Sequence, residues 1–458
     1  MNRVRPGRRG LPLFAVACLV ATALAFPLSD NDIAGMAVVF TLSWLLCLAL
    51  LILGGHGAFY RPSVTWLVLF GLFHGGLLMG IALRGPDGFT AYDSSWLYSG
   101  YTGEAVRLAI FGMAVFTLAA ELAAGRPGRA GDREGGLPMA TLPVDSRPAF
   151  AMVGLVAESA GVVIFAWTVV HAGGLGLLSG GYLTFLQAGE SEGGLGYATF
   201  LIGVGAVLAV IGGGRARTTA WIVFSGYAVV AFLIGTRGAV LFPLLALLAV
   251  EVREGRRIRT LWTVLTVPAV LILIGLVRTT RLTGFGSSVF SIWAAPLDAI
   301  AEMGYSLRPS VVVLGWHAAE EPFRHGVTFA AVPLRFVEAV TGLHGGPPVY
   351  DDRLFNVEIL HRVGPIGGSP LAEAYHNAGI AGIVLFMVAA GVVLGRLEQR
   401  PLSPSGNALT GIVLLPLLIQ TRNSFAPVPA QIAVGLLLLW LVRMISRRAD
   451  KPVLVTRC

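Results

Sequence analysis

From residue 11 onward, apolar residues arrive in blocks near twenty long, separated by short polar or glycine-rich connections. A helix rises about 1.5 Å per residue, so such a block crosses a hydrocarbon layer of ~30 Å. The blocks predict spans at 11–28, 34–53, 64–83, 105–124, 150–171 and 197–213, then at 219–235, 239–252, 260–277, 374–397, 408–420 and 428–445. The expected fold is therefore an all-α polytopic membrane protein of about twelve transmembrane helices. The blocks at 239–252 and 408–420 are short for a full crossing. One polar stretch is long. It separates the ninth and tenth spans and divides the chain into a bundle (1–277), a loop or subdomain (278–369) and C-terminal helices with a tail (370–458). Within it, apolar spacing predicts helices over 298–313 and 329–341, with a turn at 347–352. A structureless loop of this length is unusual, so the segment is expected to be functional or folded.

The tenth span begins with residues 367–382, GGSPLAEAYHNAGIAG. Ser369 suits an N-cap and Pro370 the first helical position, so a helix should start there. Glu373, His376 and Asn377 then fall at i, i+3 and i+4 and share one face. A polar face at the mouth of a membrane helix is where chemistry or ligand binding is expected. Each residue also has a plainer reading. An acidic residue in a first turn is favoured by the helix dipole, and a histidine can hydrogen-bond within a bundle.

Composition supports the membrane reading: of 458 residues, 55% are hydrophobic and 13% charged. A net charge of +8 would suggest nucleic acid in a soluble protein. Here the arginines gather in alternate short connections: Arg61, the linker Arg126–Arg147, Arg215 and Arg217, Arg253–Arg259, Arg396 and Arg400, and the C-terminal tail. The positive-inside rule makes those cytoplasmic. Both termini are then inside, the long loop is extracytoplasmic, and the partner is the lipid bilayer rather than nucleic acid. The basic N-terminus mimics a secretory signal, but a second span follows closely, so an uncleaved first helix is expected. Cys18 and Cys47 lie in apolar runs and Cys458 ends the chain, which is neither a disulfide framework nor a zinc spacing. No phosphate-binding loop or HExxH motif is present. No cofactor or metal is therefore expected, and any synthetic reaction needs an activated substrate.

Two tight outer connections, 235–238 (GTRG) and 421–424 (TRNS), each carry one arginine, Arg237 and Arg422. An interfacial arginine can simply snorkel to headgroups. Two on the same side as the long loop also suit a shared anionic ligand, because guanidinium forks match phosphate oxygens. Glu158 is the only charge well inside a span; it fits a proton relay or a substrate cavity, and equally a protonated interhelical group. Asp351-Asp352 suits a divalent cation but reads more simply as a solvated turn.

The GGSPLAEAYHNAGIAG segment followed by an apolar span resembles the late region of the Wzy-type oligosaccharide repeat-unit polymerases. The 235–238 turn resembles their Thr/Ser-Arg-Gly turn, and the Arg422 turn their late arginine. Arg278 and Arg281 open the long loop, where that family carries basic residues. The resemblance implies a membrane glycosyltransferase of GT-C-like architecture acting on the outer face, independent of metal and nucleotide. It would join polyprenyl-pyrophosphate-linked oligosaccharides into surface polysaccharide. By that resemblance Arg237, Arg278, Arg281 and Arg422 would hold the donor pyrophosphate. Glu373 would orient or deprotonate the acceptor hydroxyl, with Tyr375, His376 and Asn377 lining the site. Other polysaccharide assembly proteins are further candidate partners. Three alternatives stay open, the plainest being a structural scaffold partnering a synthase complex. An O-antigen ligase-like transferase would lean on a loop histidine (His317, His325, His344 or His361). A polysaccharide flippase of twelve spans would usually divide between spans six and seven instead.

Overall fold

The computed structural model describes residues 28–30, 32–54, 60–85, 94–124, 146–174, 195–256, 294–342 and 350–449, with a few isolated positions beside them. Among these residues the chain is all helical. Every expected span from residue 34 onward is matched by a helix except 260–277, which lies largely outside the described residues, as does the first span. The helices are α1 (Ile33–Gly54), α2 (Pro62–Arg84), α3 (Thr102–Ala124), α4 (Arg147–His171), α5 (Leu195–Gly212), α6 (Gly214–Ile234) and α7 (Arg237–Arg253). The long polar segment folds as α8 (Ala295–Met303), α9 (Arg308–Ala318), α10 (Val327–Thr341) and α11 (Phe355–Arg362). Then come α12 (Pro370–Glu398), α13 (Pro404–Gln420) and α14 (Pro427–Ala449). Among the described residues 8 helices are long and apolar enough to cross a membrane. The short blocks form α7 and α13, each of 17 residues with an internal proline. The helix predicted over 298–313 is divided in two by a 3-10 turn at Gly304–Leu307, while α10 closely matches the helix predicted over 329–341.

Small residues let the helices approach closely, as expected where lipid removes the hydrophobic drive between them. On α4, a Cβ at Gly154 would come within 2.3 Å of the Ala209 amide nitrogen of α5. Similarly, Gly391 and Gly395 seat α12 on the backbone of Phe116 and Ala120 in α3. Glu158 is buried in the α4–α5 contact with no hydrogen-bond partner among the described residues. The far end of α12 is pinned to the start of α2: Arg61 Nε and the Ser63 amide each donate to Glu398, both at 2.9 Å.

The feature that positions everything else is a break in α12. Ser369 caps the helix, its Oγ accepting from the Ala372 amide at 3.3 Å, with Pro370 in the first turn as expected. Eight residues on, Ala378 and Gly379 leave helical geometry. Gly379 sits at φ +58°, which disfavours any side chain, and an added Cβ would also stand 3.1 Å from the Phe323 ring. The break frees two carbonyls. The connection between α9 and α10 fills them: the Arg324 amide donates to His376 O at 3.0 Å and the His325 amide to Asn377 O at 2.9 Å. The remaining helix, residues 380–398, spans about 28 Å and still suffices to cross a bilayer.

Candidate functional site

Glu373 lies in the short segment before the break and is completely buried. One oxygen, Oε1, accepts from the Thr328 hydroxyl of α10 at 2.9 Å. The other, Oε2, accepts from the Phe425 amide at 2.6 Å. Asn377, one turn on, donates to the same Thr328 oxygen at 2.7 Å and to the Glu373 carbonyl at 2.7 Å. Glu373 and Asn377 therefore do share one face, and they share it around Thr328. His74 of α2 supports the helix start, its Nε2 2.8 Å from Ser369 Oγ while Nδ1 donates to the Phe70 carbonyl.

His376 belongs to a neighbouring network instead. Its Nε2 lies 3.0 Å from Glu358 Oε2 in α11, and its Nδ1 lies 3.1 Å from His317 Nε2 in α9. His317 Nδ1 in turn meets the Glu321 carbonyl at 2.8 Å. Arg324 Nε donates to the same His376 Nε2, at 3.3 Å. Arg324 also pairs with Glu358, and Arg362 reaches Glu358 at 3.2 Å and Glu321 while lying 3.6 Å over the Trp316 ring. Burial works against charge on Glu358, but hydrogen bonds from His376 and Arg324 bring its carboxyl down to about 2. Burial also lowers the His317 pKa. Tyr375 is half-buried and edge-on to His317, with ring centres 5.7 Å apart.

Two clefts lie on elements that hold Glu373, though Glu373 itself lines neither. The first is a shallow one of about 10 Å³, lined by Phe73, Arg237, Glu302 and Arg422 among others. Gly235 makes the turn that delivers Arg237: it ends α6 at φ +96°, in the left-handed region that suits glycine. Arg237 is paired to Glu302 of α8, with NH1 donating at 2.6 Å. Arg422 lies exposed in the turn after α13 and makes no side-chain hydrogen bond or ion pair among the described residues. The carbonyl of Arg422 accepts from the Gly368 amide at 3.1 Å, and its turn continues to Phe425, which holds Glu373. Two arginines from turns far apart in sequence thus meet in one cleft tied to the carboxylate. Arg278 and Arg281 lie outside the described residues.

The second cleft, of about 160 Å³, is lined by Arg324, Val327, Thr328, Asp351, Asp352 and Arg353. Asp351 is nearly buried between Arg335 at 2.6 Å and Arg353 at 2.8 Å, and the hydrogen bonds from Arg353 hold its carboxyl well below the usual carboxylate range. Arg353 also donates to Glu338 at 2.6 Å, and Asp352 meets His361 Nδ1 at 2.8 Å. The adjacent aspartates are thus held by arginine and histidine.

Sequence reasoning did not single out Thr328, Glu358 or Glu302. Each gains its role from a partner between 18 and 65 residues away, a distance that no local spacing signals.

The family described as O-antigen polysaccharide polymerase Wzy matches residues 173–451. Protein CapE of Staphylococcus aureus is 26% identical over 206 residues, which are 44% of this chain and 45% of CapE. The chain thus aligns with less than half the length of that curated relative. No solved structure matches the chain. With well over half its length matched, including both arginine turns and the Glu373 segment, the chain belongs to the Wzy O-antigen polysaccharide polymerase family.

Proposed function

We infer that the protein is a membrane glycosyltransferase that polymerises polyprenyl-pyrophosphate-linked oligosaccharides at the outer face of the membrane. The observation that carries this reading is the meeting of Arg237 and Arg422 in one cleft, joined through the Phe425 amide to Glu373. In the proposed step an acceptor hydroxyl oxygen bonds to the anomeric carbon of the donor glycan. The bond from that carbon to the pyrophosphate oxygen breaks, and its electron pair leaves with the pyrophosphate. The hydroxyl proton passes to Glu373. Arg422 and Arg237 stabilise the charge building on the leaving group, the role preorganised cations play in transferring pyrophosphate. Glu302 occupies Arg237 as a carboxylate occupant that an incoming phosphate would displace. Arg278 and Arg281 are proposed to add to the same anion site. Asn377 fixes Thr328 and so the orientation of Glu373, while Tyr375 and His376 form the wall beside it. The activated substrate carries its own leaving group, so the reaction runs without nucleotide or metal.

The test uses purified protein in nanodiscs with the cell's own lipid-linked oligosaccharides and no added nucleotide. A ladder of longer lipid-linked products, lost in Glu373→Gln and Arg422→Ala, is expected. A ladder that survives both substitutions would refute the site. Movement of the substrate between leaflets without extension would point to a flippase. The ligase-like reading has one observation in its favour, the loop residue His317 in contact with His376. Transfer to an acceptor other than a lipid-linked glycan, without a ladder, would identify it.

A further inference from the structure

The two clefts differ in charge, and the difference assigns them different ligands. The first holds two guanidiniums against one carboxylate, Glu302, and so keeps a net positive charge for an anion. The second holds Arg324 and Arg353 against Asp351 and Asp352, and these cancel. Its arginines are also occupied: Arg353 grips Asp351 and Glu338, and Arg324 grips Glu358. A ligand there gains nothing from carrying charge. The cleft instead presents carboxylate oxygens that accept hydroxyl hydrogens, guanidinium edges that donate, and one aliphatic wall at Val327. That mixture fits an uncharged polyhydroxyl compound.

The floor of this cleft leads to the carboxylate. Thr328 lines the cleft, is 1% exposed, and donates directly to Glu373 Oε1. This hydroxyl links the second cleft to Glu373, whose other oxygen accepts from the Phe425 amide, three residues beyond Arg422. We propose that the Arg324–Thr328–Asp351–Asp352–Arg353 cleft is the acceptor subsite, taking an uncharged terminal sugar whose hydroxyl replaces Thr328 as the hydrogen-bond donor to Glu373. This rests on the glycosyltransferase reading above, which it extends by separating a sugar site from a pyrophosphate site. Thr328 is a positioning residue here: it holds the carboxylate aimed at the cleft until the acceptor arrives.

The probes are the reducing oligosaccharide freed from the cell's lipid-linked pool by mild acid, which lacks the pyrophosphate, and inorganic pyrophosphate. Binding of each to the full-length protein in nanodiscs is measured by calorimetry, alongside the ladder assay. Val327→Trp fills the cleft mouth and removes no hydrogen bond; Asp352→Ala removes an exposed acceptor. Both are checked for monodispersity. Each should weaken oligosaccharide binding about tenfold or more, the loss for a charge-assisted hydrogen bond or a blocked site, while pyrophosphate affinity stays as in wild type. Arg422→Ala should show the reverse pattern. Oligosaccharide binding that is unchanged in both Val327→Trp and Asp352→Ala would overturn the assignment. So would a wild-type protein that makes the ladder but does not bind the free oligosaccharide. A wild type without a ladder would sink the polymerase reading on its own, and oligosaccharide binding lost in Val327→Trp would still establish the cleft as a sugar site.

Discussion

The two clefts are each tied to Glu373 through a neighbouring residue and have little else in common. The Arg237–Arg422 cleft lies at the ends of membrane helices, where tight turns leave one guanidinium exposed and the other paired with Glu302. The Arg324–Asp352 cleft lies in the folded polar segment, where nearly every charge already has an opposite partner at close range. An underfilled cluster of cations is suited to capturing an anion, because the ligand completes it. A filled cluster is a rigid scaffold and offers directional hydrogen bonds rather than field. One Glu373 oxygen accepts from Thr328, which lines the second cleft, and the other from Phe425, three residues beyond Arg422; in the proposed function this one group serves both halves of a two-substrate transfer.

The strongest way to break this comparison is to remove the group the clefts share. Glu373→Gln retains an oxygen for the Phe425 amide but loses the base, so ladder formation should fall by about 10²–10⁴-fold with the thermal midpoint nearly unchanged. A ladder of wild-type length and rate would show that neither cleft depends on it. Arg422→Ala acts on the cationic cleft alone. Extension should drop by about 10²–10³-fold, with weaker inhibition by inorganic pyrophosphate and unaltered thermal stability, since the side chain has no described partner to lose.

Gly379→Ala attacks the backbone that holds both clefts to Glu373. Strain at φ +58° and the approach to Phe323 should cost about 1–3 kcal/mol and lower the thermal midpoint. A midpoint equal to wild type would mean that the α12 break does not need glycine. The smallest effect concerns acid stability of the balanced cluster. The Glu358 carboxyl titrates near 2 in the folded protein against an ordinary value of 4.5, so its contribution is complete above 4.5 and is lost as pH falls toward 2. Glu358→Gln should therefore flatten the fall in thermal midpoint across that window, at a cost of about 1 kcal/mol at neutral pH. Parallel curves for wild type and variant would show that the ion pairs contribute nothing there.

Much of the fold was legible because it follows from solvent. Spans of apolar residues, the Ser369-Pro370 helix start and the tight 235–238 turn are local consequences of burial, capping and glycine conformation. The site was legible in part. Arg237, Arg422, Glu373 and Asn377 stood out because charge or polarity at a membrane-helix end is unusual. His376 shared their spacing but joined another network, because helical periodicity gives a direction around one helix and not the neighbour waiting there. The α12 break was hidden for a similar reason: the sequence through Asn377-Ala378-Gly379 continues an apolar helical pattern, and glycine is common in membrane helices. What ends the helix is the 321–326 connection, whose amides satisfy the freed carbonyls.

The chain by itself therefore determined an all-helical membrane bundle, the polar segment that precedes residue 370, and the charged and polar groups at the ends of its helices. Those depend on the partition of each side chain between water and lipid, which neighbours in sequence settle. Only the tertiary structure decided which of those groups meet. Glu302 finds Arg237 and Thr328 finds Glu373 across 65 and 45 residues, and the cationic and balanced clefts arise from such pairings. Electrostatic partnership acts through space over a few ångströms, so it is written in the packing of helices rather than in the order of residues.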